Sequence, residues 1–194
     1  PLSIFKIPTF SYGNLIQSSA NTIFLGANFL IALYLQQGLK QDLVTTGWIM
    51  ASITPGMIVM QPLIGKFYNK LGPIPFIIPG LIGLSLSMIA FSLATPSTSP
   101  MMLAAIVFLI GASSSSAQTA NVPSIFSQVP NHYKSSGSAL YSLFKQISAS
   151  FGVALSAMIL SLNSHPESIE AFKTCFIILA IIPAASVILC KYIR

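Results

Sequence analysis

Charged residues are scarce in this chain. Aspartate, glutamate, lysine and arginine make up 6% of its 194 residues, while 54% are hydrophobic; a soluble domain carries about 25% charged residues. So little charge cannot keep a folded surface in water, and the mean hydropathy of +0.80 therefore predicts an integral membrane protein. The net charge of +6 reflects an excess of basic residues on one side of a bilayer. We expect no nucleic-acid partner, because the sequence has no basic run with interleaved aromatic residues.

Residues suited to catalysis or metal binding are also few. Cys175 and Cys190 lie on one apolar segment, where a helix would hold them about 22 Å apart, too far for a disulfide. His132 and His165 fall in predicted loops. The sequence contains no paired-carboxylate, Cys/His, Ser–His–Asp or glycine-rich phosphate-binding pattern. We therefore predict no enzyme activity, no metal and no cofactor.

Long apolar segments dominate what is present. A transmembrane helix needs about 20 mostly apolar residues, and six segments qualify. We place these spans at residues 10–37, 44–68, 74–95, 100–127, 135–162 and 169–192, after a cytoplasmic amphipathic lead-in at residues 1–9. Glycine, proline or charged residues mark the breaks, the last of them at Asn163–Glu167. The predicted fold is an all-α membrane protein with six transmembrane helices.

The placement of charge predicts the orientation of these spans. If they alternate through the bilayer, one side holds six basic and no acidic residues: Lys6, Lys66, Lys70, Lys134, Lys191 and Arg194. The other side holds two basic and three acidic residues: Lys40, Lys173, Asp42, Glu167 and Glu170. Basic residues are enriched on the cytoplasmic side. We therefore predict that both ends are cytoplasmic, in a multi-pass protein of the bacterial inner membrane.

Amide side chains recur along two spans. In the first span, Asn14, Gln17, Asn21 and Asn28 follow helical spacing and share one face. In the fourth span, Ser114, Gln118 and Asn121 do the same. Amides facing lipid are costly, so they either line a water-filled cavity or form hydrogen bonds between helices. Both interpretations stay open for both spans.

The fifth span carries a lysine far from either end. Tyr141, Lys145 and Ser148 lie on one face, and Lys145 is about ten residues in from the inner end. An unpaired lysine at the middle of the membrane costs about 2.5–3.5 kcal/mol on insertion scales. One interpretation places Lys145 on a substrate path, where Tyr141 or a carboxylate from another part of the protein could hold its charge. The alternative is that it snorkels to the inner headgroups.

A proline interrupts the second span. Pro55 and Gly56 lie near its middle, and a proline there removes a backbone donor and favours a kink. A gating bend is the functional interpretation. A static bend that serves helix packing is the alternative.

The segment Gln61–Pro73 carries a family signature. Its Gly65, Asn69, Lys70 and Gly72 resemble the cytoplasmic signature loop of major facilitator superfamily transporters, with Asn69 in place of the family's acidic residue. The first, second and third spans begin about 90 residues before the fourth, fifth and sixth. Such a three-plus-three inverted repeat builds each six-helix half of these transporters, so the resemblance covers the whole chain.

The chain resembles the C-terminal half of EmrB/QacA-type multidrug exporters in particular. The residues that carry this likeness are Leu2–Lys6 with Phe10, Thr46–Trp48, Pro62–Gly65, and Gly137–Ala139 with Lys145 and Gly152. The resemblance implies proton-coupled export of drugs or other small organic compounds, with spans one, two, four and five lining the path.

This resemblance also implies partners and leaves two alternatives. We expect the lipid bilayer, a small-molecule substrate and an N-terminal transporter half, either upstream in the same chain or separate. The chain begins at Pro1 without an initiator methionine, and we expect it to be a fragment or a processed piece of a longer protein. The alternatives are a non-transporting six-helix remnant or scaffold paired with a partner, and an importer of a small metabolite.

Overall fold

The computed structural model describes residues 2–162 and 168–193. Within these ranges its regular secondary structure is helical: α1 (Pro8–Leu33), α2 (Leu43–Ala51), α3 (Ile53–Leu71), α4 (Ile74–Ser92), α5 (Pro100–Phe126), α6 (Lys134–Ser161) and α7 (Ile169–Ser186). A π-helical turn follows α1 at Tyr34–Gly38, and 3-10 helices occupy Leu2–Lys6, Asn131–Tyr133 and Val187–Ile193. Six segments of the described chain are long and apolar enough to cross a membrane, as predicted. The predicted break at Asn163–Glu167 lies outside the described residues.

Polar N-caps begin the helices of three alternate spans. Asp42 Oδ2 accepts hydrogen bonds from the backbone N–H groups of Val44 and Thr45, each at 3.1 Å, at the start of α2. Hydrogen bonds from Thr45 lower the pKa of Asp42. Ser99 and Ser168 cap α5 and α7 by accepting from backbone N–H groups three residues on, at 3.3 and 3.2 Å. Such caps satisfy donors that a helix start leaves free.

The second span is broken into α2 and α3 at Ser52. Pro55 has no N–H, so the carbonyl of Ala51 lacks its usual donor four residues on. At the break, the Ser52 N–H bonds to the carbonyl of Ile49, which lies three residues back rather than the four of an α-helix, at 3.1 Å. The interruption therefore lies one turn before the predicted bend at Pro55 and Gly56. A β-carbon on Gly56 would lie 2.9 Å from the backbone nitrogen of Ala112, so close packing against α5 holds the α3 side of the break.

The predicted cytoplasmic loop is much shorter than expected. We predicted that the second span ends at residue 68, but α3 continues to Leu71. Gly65, Asn69 and Lys70 therefore lie on its last two turns. The helix continues because no residue breaks it before Gly72, whose φ of 74° favours glycine. The N–H of Gly72 bonds to the carbonyl of Tyr68 at 2.8 Å and ends the helix.

Equivalent helix pairs of the two three-span repeats pack in the same way. The first span packs on the fifth through α1 and α6, and the fourth packs on the second through α5 and α3. Both crossings depend on glycine: a β-carbon on Gly26 would lie 2.8 Å from the carbonyl oxygen of Gly152, and Gly56 packs equally closely on α5. Glycine allows such close backbone approach in membranes. This arrangement matches the predicted three-plus-three repeat.

A group of aromatic side chains packs together within the largely aliphatic core. Tyr34 is fully buried, its Oη donates to the carbonyl of Ala94 at 2.6 Å, and its ring contacts those of Phe91, Phe172 and Phe176. A second, smaller cluster joins Ile4 to Phe10, Ile125 and Val129. The lead-in is therefore part of the bundle, since its 3-10 helix carries Ile4, and α1 begins at Pro8 rather than at residue 10.

Candidate functional site

A polar cavity of about 370 Å³ lies between α1, α3, α5 and α6. Half of the ten residues predicted to line a substrate path surround it: Gln17, Asn21, Gln118, Tyr141 and Lys145. Apolar side chains complete the wall, among them Phe24, Leu25, Met57 and Val122. Spans one, two, four and five all contribute, whereas α4 and α7 supply none of the described lining residues.

Hydrogen bonds between amides join α1 to α5 beside this cavity. Gln17 Nε2 donates to Gln118 Oε1 at 3.1 Å, and Gln118 Nε2 donates to Ser114 Oγ at 2.6 Å. Asn121 Nδ2 donates to Gln17 Oε1 at 3.2 Å and to the carbonyl of Gly13 at 2.8 Å. Ser114 and Asn121 are fully buried. In this network the amides stabilise the contact between two helices.

A second set of hydrogen bonds joins α1 to α6. Asn21 Nδ2 donates to the backbone carbonyl of Lys145 at 2.8 Å and to Ser148 Oγ at 3.1 Å. Thr22 Oγ1 donates to the carbonyl of Ser148 at 3.1 Å. Gln17, Asn21 and Gln118 therefore lie on the wall of the cavity, and Gln17 and Asn21 also donate hydrogen bonds to neighbouring helices.

Two of the predicted asparagines bond to their own helix instead. Asn14 Nδ2 donates to the carbonyl of Phe10 at 2.8 Å, and Asn28 Nδ2 donates to that of Phe24 at 2.6 Å. Neither lines the polar cavity. Asn14 lies with Ser148 on a separate, mainly apolar groove of about 320 Å³ between α1 and α6.

Lys145 brings a positive charge to the polar cavity. Its side chain is exposed there, eleven residues after Lys134 at the start of α6, which is about 17 Å along the helix axis. That distance is about half the thickness of the hydrocarbon core. The acidic residues in the described ranges lie at helix starts: Asp42 caps α2, and Glu170 is in the first turn of α7.

Family comparison identifies this architecture. The model of the Major Facilitator Superfamily matches residues 14–194. The chain belongs to the Major Facilitator Superfamily. This membership confirms the resemblance seen in the signature segment and in the repeat.

Relatives with names that refer to transport or drug resistance match most of the chain. MdtD of Escherichia coli O157:H7, named for multidrug resistance, is 28% identical over 175 residues, which is 89% of this chain and 37% of MdtD. The lincomycin resistance protein LmrB of Listeria innocua is 26% identical over 82% of this chain and 34% of its own length. HsrA of Haemophilus influenzae, named as a transport protein, is 25% identical over 85% and 36%. The chain thus spans about a third of the length of each.

As a superfamily member, the chain is a multi-pass membrane protein of a transporter family. Its surroundings are the lipid bilayer, its family's ligands are small molecules, and its bacterial relatives indicate the inner membrane.

Six of the residues that line the cavity were not among those predicted: Phe24, Leu25, Met57, Ser115, Thr119 and Val122. Ser115 and Thr119 line the cavity from α5, and Ser115 Oγ also donates to the carbonyl of Met57 on α3 at 3.2 Å. Ser115, Gln118, Thr119 and Val122 recur at spacings of three and four, which is the helical signal that could have revealed this face. Phe24 has no polar signal and could not have been found in this way.

Proposed function

We propose that this chain is the C-terminal half of a proton-coupled exporter of drugs or other small organic compounds. The polar cavity carries the proposal, because it combines hydrogen-bonding groups, a lysine about halfway along its span and an apolar wall within a superfamily fold. The relatives named for lincomycin and multidrug resistance favour drugs as substrates and export as the direction.

In this proposal the chain supplies one wall of a path between two halves. Alternating access is largely a rocking of one bundle against the other around a fixed site. The bonds from Gln17 to Gln118 and from Asn21 to Lys145 tie α1, α5 and α6 together, so this half would move as a unit. Helices α4 and α7 would support it from outside. The break at Ser52 would let α2 bend relative to α3, because only Thr46 and Ile49 of α2 are buried.

The position of Lys145 argues against a non-transporting scaffold. A scaffold would gain nothing from a charge that costs about 2.5–3.5 kcal/mol when unpaired at mid-membrane. Near a water-filled path the same charge remains hydrated. An importer of a small metabolite would use the same cavity, and only the direction of flux distinguishes it from an exporter.

Drug accumulation in cells tests the proposal. The full-length transporter is expressed in a strain without its own drug exporters, and accumulation is measured for a panel of labelled drugs that includes acidic, neutral and basic compounds. We expect lower accumulation than in vector controls and recovery on addition of a protonophore. Higher accumulation would indicate import. Unchanged accumulation of every compound, with the protein present in the membrane, would indicate a scaffold.

A further inference from the structure

Most polar atoms of the amides around the polar cavity are already bonded within the protein. Gln17 uses both its Nε2 and its Oε1, in bonds to Gln118 and from Asn121. Gln118 accepts from Gln17 and donates to Ser114. Asn21 Nδ2 donates twice to the turn of α6 that contains Lys145 and Ser148. These amides are committed to holding the helices and offer little to a ligand.

The side chains of Lys145 and Tyr141 differ from the amides in having no hydrogen-bond partner among the described residues, although the Tyr141 ring packs on Phe126. Both line the cavity, Lys145 exposed and Tyr141 half-buried. They are four residues apart on α6, so they lie one turn apart on the same face. An ammonium and a phenolic O–H placed in this way present two donors to one acceptor group.

The rest of the cavity adds apolar surface and no negative charge from the described part of the chain. Phe24, Leu25, Met57 and Val122 form the apolar wall. Asp42 and Glu170 lie at helix starts, away from the cavity; the chain's third acidic residue, Glu167, lies outside the described ranges. Lys145 is therefore the one charged side chain among the described residues that line the cavity.

We propose that the polar cavity selects organic anions, that is, an apolar or aromatic body carrying a carboxylate, sulfonate or phenolate. This inference rests on the proposed transport function. The anionic group accepts charge-assisted hydrogen bonds from Lys145 Nζ and Tyr141 Oη, and the body packs on Phe24, Met57 and Val122. A neutral compound of the same shape binds through the apolar contacts alone, and a cation is repelled.

Three probes with one ring system and three charges test the proposal. They are naphthalene-1-sulfonate, naphthalene-1-sulfonamide and (1-naphthylmethyl)trimethylammonium, none of which changes its charge near neutral pH. Binding to the purified full-length transporter in detergent is measured by equilibrium dialysis, and proton-driven uptake into everted vesicles is measured separately. We expect the sulfonate to bind at least about tenfold more tightly than the ammonium compound.

Substitutions on α6 assign this preference to its residues. Lys145→Gln should weaken sulfonate binding at least about tenfold and leave sulfonamide binding unchanged, and Lys145→Arg should restore the preference for the anion. Tyr141→Phe should weaken sulfonate binding by a smaller factor. Lys134→Gln is the matched control, since it removes the same charge from the start of the same helix, outside the cavity, and should change none of the three affinities. Thermal melting of each variant confirms its fold.

The outcomes separate this inference from the proposed function. Ammonium binding as tight as sulfonate binding would overturn the inference and would indicate that a carboxylate from the N-terminal half neutralises Lys145. A preference for the anion that survives Lys145→Gln would overturn it as well. Sulfonate binding without uptake of any probe would support the inference and contradict the transport function. Uptake of all three probes without discrimination by charge would support the transport function and overturn the inference.

Discussion

Asn21 on α1 donates from Nδ2 to the backbone carbonyl oxygen of Lys145 on α6, 2.8 Å away. The same nitrogen donates to Ser148 Oγ, one turn further along α6 at 3.1 Å. A residue of the first span therefore fixes the turn of the fifth span from which the Lys145 side chain enters the polar cavity. The amide therefore acts on the site through the backbone, and a hydrogen bond between helices was one of the two interpretations that its polar face left open.

Replacing Asn21 should weaken the contact between α1 and α6. Asn21→Ala removes two interhelical hydrogen bonds, and we expect the free energy of unfolding to fall by about 1 kcal/mol, as for such bonds in membranes. Unfolding by SDS in mixed micelles measures it. In a double-mutant cycle with Ser148→Ala, the coupling should be about 0.6 kcal/mol. Strict additivity of the two substitutions would show that their hydrogen bond contributes nothing.

A methyl group at Gly152 should separate the same two helices. A β-carbon there would lie 2.9 Å from the carbonyl carbon of Thr22, closer than packed atoms allow, whereas one on Gly47 of α2 would meet nothing within 4 Å. We expect Gly152→Ala to lower the free energy of unfolding by about 1–3 kcal/mol. Gly47→Ala, the control, should leave it unchanged or raise it by up to about 1 kcal/mol. Equal effects of the two substitutions would contradict the close packing.

The orientation in the membrane is tested by labelling from outside. Single cysteines are placed at Asn69, near the end of α3, and at Ser97, in the connection between α4 and α5. Both positions are exposed, and the background lacks Cys175 and Cys190. With the ends of the chain cytoplasmic, an impermeant thiol reagent should label Ser97→Cys in intact cells and label Asn69→Cys only after lysis. The reverse pattern would overturn the predicted orientation.

Helix starts were predictable because the sequence marks them chemically. α4, α5 and α7 begin at Ile74, Pro100 and Ile169, the predicted positions. Pro100 suits a first helical position, and Ser99 supplies the cap before it. Helix ends were less predictable. α3 continues beyond residue 68 because its lysines are tolerated on an exposed helix end, and it ends only at Gly72.

Hydrogen bonds between residues of different helices could not be predicted. Helical spacing places Asn14, Gln17 and Asn21 on one face of α1, but it does not say how that face is turned toward its neighbours. An asparagine can also satisfy its donor on the carbonyl four residues back, as Asn14 does. Tyr34 bonds to the carbonyl of Ala94, sixty residues away, and no local pattern signals such a pairing.

Proton-coupled transport by two joined halves is tested by measuring drug flux in proteoliposomes that hold this chain alone, or together with the proposed N-terminal half, under an imposed proton gradient. Rocking around a shared site needs two bundles, so we predict drug flux only when both halves are present, and its loss when a protonophore collapses the gradient. Flux above that of empty vesicles from this chain alone would show that it needs no second half, and flux that does not respond to the protonophore would show that transport is not proton-coupled.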